Sequence, residues 1–282
     1  MPLVTSQKML SDAQKNGYAV GAFNVENMEM AMAVIAAAEE LCAPVMLQTT
    51  SSTLKYATPE MFCAMVSALA KDSPIPITVH LDHGSGTDIV EKTLNAGYTS
   101  VMIDGSQLSF EDNIKITQQS VAMAKAFNVP VEAELGRVGG KEDETESAEA
   151  SGTDPQEAVT FVKETGIDSL AIGIGTAHGF YKGTPVLDKK RLAEIRAVVD
   201  IPLVLHGASG LSDKDVQDCI ALGICKVNFA TELRVAFTDG IKQTLAEHPE
   251  TFDPKPLGKT GIQNVKELVA NKIKVCGCDG KA

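Results

Sequence analysis

Eight short β-rich runs, each followed by a helical pattern, fill almost the whole chain in single file. That alternation is the strongest constraint on the fold. Segments 18–24, 44–49, 75–82, 100–104, 131–135, 168–174, 202–206 and 225–229 read as strands, rich in Val, Ile, Leu and Ala. Helical patterns follow at about 26–41, from Thr58-Pro59-Glu60, 87–95, 110–127, from Asp154-Pro155 to 165, 189–199, 213–222 and from Thr231, with a terminal helix at 259–274. Strand-helix units in series favour a closed parallel (β/α)₈ barrel, a TIM barrel, over an open doubly wound sheet. The expected organisation is one barrel domain over 1–282 with an extra C-terminal helix. No Gly-x-Gly-x-x-Gly follows the first strand, which weakens a dinucleotide-binding reading. One long segment, Gly136 to Gly152, has almost no apolar residues and reads as irregular, and Gly175 to Pro185 reads as a second loop.

Composition narrows the partners. The formal net charge is −12, from 37 acidic and 25 basic residues, which argues against general nucleic-acid or anionic-membrane binding. The amphipathic start, with Lys8, Asp12 and Lys15, lacks a signal-like apolar core, and no run approaches the roughly 18 apolar residues of a membrane span. Six cysteines show no disulfide framework and read as reduced thiols, so the expected location is the cytoplasm.

In such barrels chemistry gathers at the carboxyl ends of the strands. There the sequence places Asp82 and His83 (third strand), Asp104 (fourth), Glu134 (fifth), His178 after the sixth, His206 (seventh) and Asn228 (eighth). Imidazoles from different strands converging at the mouth, with one position left for water or substrate, describe an open catalytic zinc site. In a regular strand His80 shares a side with Asp82 while His83 points the other way, and spacing alone leaves either histidine as the ligand. Asp104 and Glu134 read either as groups bonding a ligand histidine or as occasional ligands themselves. Turns Gly207-Ala-Ser-Gly210 and Asn228-Phe-Ala-Thr231 follow the seventh and eighth strands, where barrels often hold phosphate on backbone N–H groups. Lys182, in Gly179-Phe-Tyr-Lys-Gly183, is a candidate cation for the same anion. Lys226 reads as the start of its strand, so no strand-end lysine competes as a Schiff-base former.

These pieces resemble the zinc-dependent class II aldolases along the whole chain. The resemblance rests on Tyr18-Ala-Val-Gly-Ala-Phe-Asn24, His80-Leu-Asp-His-Gly84, Val101-Met-Ile-Asp-Gly-Ser106, Val131-Glu-Ala-Glu-Leu-Gly136 and Gly139-Gly-Lys-Glu-Asp143. It continues through Gly175-Thr-Ala-His-Gly179, Leu203-Val-Leu-His-Gly-Ala-Ser209 and Lys226-Val-Asn-Phe-Ala-Thr-Glu232. It implies His83, His178 and His206 as zinc ligands, Asp104 and Glu134 as a displaced or second zinc position, and Asp82 as catalytic acid/base. It also implies Glu142 as the group exchanging the dihydroxyacetone-phosphate proton from a mobile loop. Gly179, Gly207, Ala208, Ser209, Asn228, Phe229, Ala230 and Thr231 match the dihydroxyacetone-phosphate site, and Arg234 a position that meets the distal phosphate. A monovalent cation, Na⁺ or K⁺, is implied near Gly179 and Gly207.

The bacterial tagatose-bisphosphate branch is the nearest in pattern. Fructose-bisphosphate enzymes often carry Asp two residues after the strand-eight Asn, and here that residue is Ala230. The resemblance thus implies cleavage of tagatose 1,6-bisphosphate, with fructose 1,6-bisphosphate as the alternative, by a homodimer or homotetramer. Some tagatose enzymes also need an accessory subunit, and a non-catalytic member of such a complex is the non-enzyme alternative. Retention of Asp82, Glu142 and the histidines weighs against it. A barrel metallohydrolase would more naturally show His-x-His on its first strand, where this chain has Phe23 and Asn24.

Overall fold

The computed structural model describes residues 3–142, 145–147, 151–181 and 183–282, with backbone alone at 141, 142 and 145–147. Its first half comprises α1 (Ser6–Asn16), β1 (Val20–Asn24), α2 (Met28–Glu40), β2 (Val45–Thr49), α3 (Ser51–Tyr56), α4 (Pro59–Ala70), β3 (Ile77–Gly84), α5 (Thr87–Ala96), β4 (Ser100–Ile103), α6 (Phe110–Phe127) and β5 (Val131–Leu135). Two short strands follow, β6 (Gly139–Glu142) and β7 (Thr145–Ser147), then α7 (Pro155–Thr165), β8 (Ser169–Ile172), β9 (Ala177–His178) and α8 (Lys189–Val198). The chain finishes with β10 (Leu203–Leu205), α9 (Asp213–Ala221), β11 (Ile224–Phe229), α10 (Thr231–Glu247) and α11 (Pro254–Cys276).

Local chemistry sets these boundaries. The side chains of Asn27, Thr58, Ser109, Asp154, Asp188, Ser212 and Asp253 accept first-turn N–H groups of α2, α4, α6, α7, α8, α9 and α11. Each such cap contributes about 1 kcal/mol. Left-handed glycines at 17, 97, 166 and 277 end α1, α5, α7 and α11.

The barrel strands close in the order β1, β11, β10, β8, β5, β4, β3, β2, all parallel. Outward strand side chains pack under the helices in one large core, while Met102, Ala171 and Val204 form a small cluster of their own. Inside the barrel, polar groups occupy alternating positions: His80 and Asp82 on β3, Glu132 and Glu134 on β5, Lys226 and Asn228 on β11, all buried. At the amino-terminal end the segment entering α1 docks on β3 and β4. Val4 N–H donates to the Ile77 carbonyl, and Ser6 Oγ lies 2.9 Å from Ser100 Oγ. With that end covered, the carboxyl ends are left as the approach to the polar interior. No helix among the described residues is long and apolar enough to cross a membrane.

Three expectations need correction, the first being the 175–185 loop, which carries the two-residue strand β9. The 136–152 segment is not wholly irregular: β6 and β7 form an antiparallel pair, and β6 also pairs with β9 in parallel, Gly140 opposite His178. Strands this short bury no continuous apolar face, so they leave no period-two hydrophobic signal. The six-residue α3, capped by the Thr50 side chain, is likewise too short to show helical periodicity. The terminal helix begins earlier than expected, at Pro254, because Asp253 caps it and proline suits its first turn.

Candidate metal centre and active-site cleft

The carboxyl end of β3 departs from regular strand geometry, and that departure builds the site. His83 has φ +45°, and the pairing of β3 with β4 shifts register between Leu81 and Gly84. A non-glycine residue held there costs about 1–3 kcal/mol. The kink cancels the alternation that would turn His83 away from Asp82, and His83 Nε2 comes within 4.0 Å of Asp82 Oδ1. Neighbours in sequence therefore face one mouth.

His80 stays on the regular part of the strand, fully buried one layer deeper. Its Nδ1 lies 2.8 Å from Ser100 Oγ, and its Nε2 3.5 Å from Lys226 Nζ. Burial, and then the Lys226 charge, push its pKa well below the ordinary histidine value. The ambiguity that spacing leaves between His80 and His83 is resolved by position: it is His83 that meets His178 and His206.

Ring nitrogens of His83, His178 and His206 lie within 4.8 Å of one another. His83 Nε2 and His206 Nδ1 face each other at 2.8 Å, while their other nitrogens each meet a carboxylate. Asp104 Oδ2 lies 2.7 Å from His83 Nδ1, and Glu132 Oε1 lies 2.8 Å from His206 Nε2. A carboxylate behind an imidazole fixes the N–H on its own side. Both inner nitrogens then present lone pairs to the same space, an arrangement that repels unless a cation lies between them. The donor set fits a metal ion such as zinc. Burial lowers the His206 pKa, followed by the nearby His83, which keeps the neutral form a metal ligand needs.

Asp104 sits behind His83 and accepts the Ser106 N–H at 3.0 Å. Burial alone would raise its pKa, but the His83 hydrogen bond and charge hold it below the usual carboxylate range. Glu134 Oε2 lies 3.6 Å from His206 Nδ1, on the inner side of that ring. His83, Asp104 and Glu134 form a second set of ligand atoms within 4.8 Å of one another.

Sequence reading missed Glu132 and Lys226. Lys226 does not begin its strand: it is the third residue of β11, fully buried, with Nζ 2.9 Å from Glu132 Oε2. Burial raises the Glu132 pKa, but Lys226 and then His206 outweigh it and hold the carboxyl below its usual range. Two-residue spacing from Glu134 and from Asn228 is the signal that could have found both, since it turns them to the same interior. Glu132→Gln is expected to weaken metal affinity by about 10- to 100-fold, because an amide orients His206 less firmly than a carboxylate. Competition with a chromogenic chelator measures it, and unchanged affinity would remove Glu132 from the support of the site.

Asp82 is buried and held on both oxygens, by Asn24 Nδ2 at 2.8 Å and Asn228 Nδ2 at 3.0 Å. Gln48 Nε2 in turn donates to Asn24 Oδ1 at 2.7 Å. Each carboxylate oxygen has a second lone pair, so the pair of amides orients Asp82 without exhausting it as an acceptor. Asn24 and Gln48 were not among the expected site residues; both occupy carboxyl-terminal positions of an otherwise apolar strand.

Asn24 and Asn228 also line a cleft together with His178, Gly179, Gly207, Ser209, Ala230, Thr231 and Arg234. Gly207 has φ +64°, and a Cβ there would lie 2.7 Å from the Ala177 carbonyl oxygen. Only glycine lets β9 approach this closely, and that approach delivers His178 to the other histidines. On the other face of β9, a Cβ on Gly140 would run into the His178 carbonyl.

The remaining site residues are placed unevenly. Ser209 Oγ accepts the Ala230 N–H at 3.2 Å, joining the 207–210 turn to the 228–231 segment. Ala208 is buried, and the Phe229 ring packs on Phe23 with centroids 5.6 Å apart, so both can offer only backbone to a ligand. Arg234 Nε donates to Glu26 Oε1 at 2.7 Å, and Glu26 Oε2 accepts Thr53 Oγ at 2.6 Å, an anchor the sequence did not suggest. Glu142 lies at the end of β6, with its side chain outside the described residues, as is Lys182 altogether.

A family model for fructose-bisphosphate aldolase class-II matches residues 4–281. Among solved structures, the YdjI aldolase from Escherichia coli K12 is 37% identical, with 99% of each chain covered and a TM-score of 0.89. A protein of Coccidioides immitis assigned as a fructose-1,6-biphosphate aldolase is 29% identical, covering 97% of this chain and 96% of its own, with a TM-score of 0.89. Fructose-bisphosphate aldolase from Campylobacter jejuni, at 22% identity, 100% and 97% coverage and a TM-score of 0.86, shares the fold.

Proposed function

The chain belongs to the class II fructose-bisphosphate aldolase family, and we propose that it is a zinc-dependent aldolase acting on tagatose 1,6-bisphosphate. The products are dihydroxyacetone phosphate and D-glyceraldehyde 3-phosphate, and the reaction is reversible. One observation carries this reading. Histidines 83, 178 and 206 converge beside a carboxylate, Asp82, that two amides hold in place.

His83, His178 and His206 would hold a zinc ion, which would supply Lewis-acid stabilisation of charge on the ketone oxygen. Asp82 takes the C4 hydroxyl proton as the C3–C4 bond breaks, and the aldehyde C=O forms from that oxygen. The electron pair stays with C3 of the ketone fragment, which Glu142 then protonates. In the synthetic direction both transfers reverse. Asn24 and Asn228 keep Asp82 aimed, and the turns at 207–210 and 228–231 take the dihydroxyacetone-phosphate end. Arg234, held by Glu26, also lines the cleft and would take the distal phosphate. A homo-oligomer, dimer or tetramer, is part of this reading.

Tagatose is favoured by Ala230, a cleft residue without a carboxylate for the sugar hydroxyls. The two ketose bisphosphates differ in the configuration of one hydroxyl, which a single polar contact reads with about 1–3 kcal/mol. In an assay coupled to triose-phosphate reduction, tagatose 1,6-bisphosphate should be cleaved with the higher kcat/KM. Ala230→Asp should move the ratio toward fructose 1,6-bisphosphate by roughly 5- to 150-fold, the same free energy as a rate ratio. Equal or greater use of the fructose isomer by the wild type would reassign the substrate, and inactivity toward both would remove the ketose-bisphosphate reading.

A further inference from the structure

The C-terminal helix reaches the cleft through a charge pair whose lysine is buried. Glu232, the second residue of α10, accepts the Gly210 N–H on Oε1 at 2.6 Å. Gly210 closes the turn that follows β10, at φ +89°. On its other oxygen Glu232 faces Lys272 of α11, with Nζ 3.0 Å from Oε2, an ion pair whose angles do not make a directed hydrogen bond. The Lys272 side chain is 7% exposed, and its Nζ lies 5.3 Å from the centroid of the Phe229 ring and 3.8 Å from Asp213 Oδ1. Phe229 lies within the second segment, 228–231, and Ser209 ties that segment to the first. From one helix, Lys272 thus touches the 228–231 segment directly, at Phe229, and the 207–210 turn through Glu232.

Their charges need explaining. A carboxylate placed against a turn that receives a phosphate opposes the ligand, and it also sits at the start of α10, whose free N–H groups favour anions. Glu232 supplies a strong acceptor for Gly210, and Lys272 removes the electrostatic cost of having it there. A lysine buried this far is normally paired, and its removal leaves the partner's charge uncompensated.

We propose that Lys272 and Glu232 are positioning residues for phosphate: Glu232 tethers the 207–210 turn through Gly210, and Lys272 neutralises Glu232 so that the turn accepts an anion. This gives the helix beyond the eight strand-helix units a part in substrate binding. The proposal rests on the reading of the 207–210 and 228–231 turns as the phosphate site.

Inorganic phosphate serves as the probe, by calorimetric titration and as a competitive inhibitor of cleavage, with thermal melts run in parallel. Lys272→Met should raise the phosphate Kd and the substrate KM by about 10-fold, the weight of one lost charge compensation, with kcat changed less. The double variant K272M/E232Q should bind phosphate within about 3-fold of wild type, because the opposing charge is gone while the amide oxygen still accepts from Gly210. Glu232→Gln alone should bind at least as tightly as wild type, whereas Glu232→Ala, which loses the acceptor, should bind more weakly. A merely structural pair would lower the melting temperature in every variant and show no such rescue. Unchanged phosphate binding in K272M, or E232Q as weak as E232A, overturns the proposal. If K272M does not fold, the contrast between E232Q and E232A decides alone. A wild-type protein that binds no phosphate removes the turns as the phosphate site, a different failure from a wild type that binds and a K272M that binds equally well.

Discussion

Asp82→Asn is expected to lower kcat by about 10²- to 10⁴-fold, the range of a lost general acid/base, while metal content stays at the wild-type level. The substitution keeps the shape of the side chain and removes its capacity to take a proton. It also puts an NH₂ where a carboxylate oxygen faced the amides of Asn24 and Asn228. Asn228 Oδ1 is buried and makes no hydrogen bond among the described residues, so a turn of that amide gives the new NH₂ an acceptor. Local structure should therefore survive. His83, the proposed metal ligand next in sequence, is oriented from its far side by Asp104, not by Asp82, so metal should survive as well. Steady-state cleavage and elemental analysis on the same preparation test both halves. Near wild-type cleavage by D82N would take the proton-transfer role from Asp82. Loss of metal in step with loss of activity would make Asp82 a support of the metal centre instead.

This kinked strand end also marks how far the sequence could be read. Strand and helix alternation made the barrel legible because outward-facing strand residues are uniformly apolar and helix boundaries carry ordinary caps such as Ser109 and Asp154. The same alternation misleads at His83. A register shift and a left-handed residue have no hydrophobic signature, so period two turned His83 away from Asp82 until the family resemblance chose it. Glu132 and Lys226 show the converse. Their spacing was regular and pointed inward, but a buried ion pair runs against composition-based expectation, and it becomes visible only when β5 and β11 stand across the same barrel. Lys272 and Glu232 are 40 residues apart by their numbers, and nothing local in either helix announces the pair. What escapes a reading of this kind is contact between distant elements, which patterns within single elements do not encode.

Removing the metal should cost the most. Metal-ion catalysis is worth several kcal/mol of charge stabilisation in the transition state, so exhaustive chelation is expected to lower kcat/KM by roughly 10³-fold or more, with recovery on adding zinc. The histidine geometry argues that the loss is specific. His83 and His206 each have one nitrogen committed to a carboxylate and the other aimed into the shared space, so these two rings supply lone pairs there for a cation to satisfy. Among the described residues Lys226 is the barrel-interior lysine that could offer a covalent alternative, since such a lysine can form a Schiff base with a ketone. Here its Nζ is fully buried and hydrogen-bonded to Glu132, so attack on a ketone would first have to break that bond. Borohydride added during turnover should accordingly leave the wild-type enzyme active. Cleavage that persists after metal removal has been verified by elemental analysis would sink the zinc mechanism. Borohydride inactivation, with label recovered on Lys226, would put the covalent one in its place.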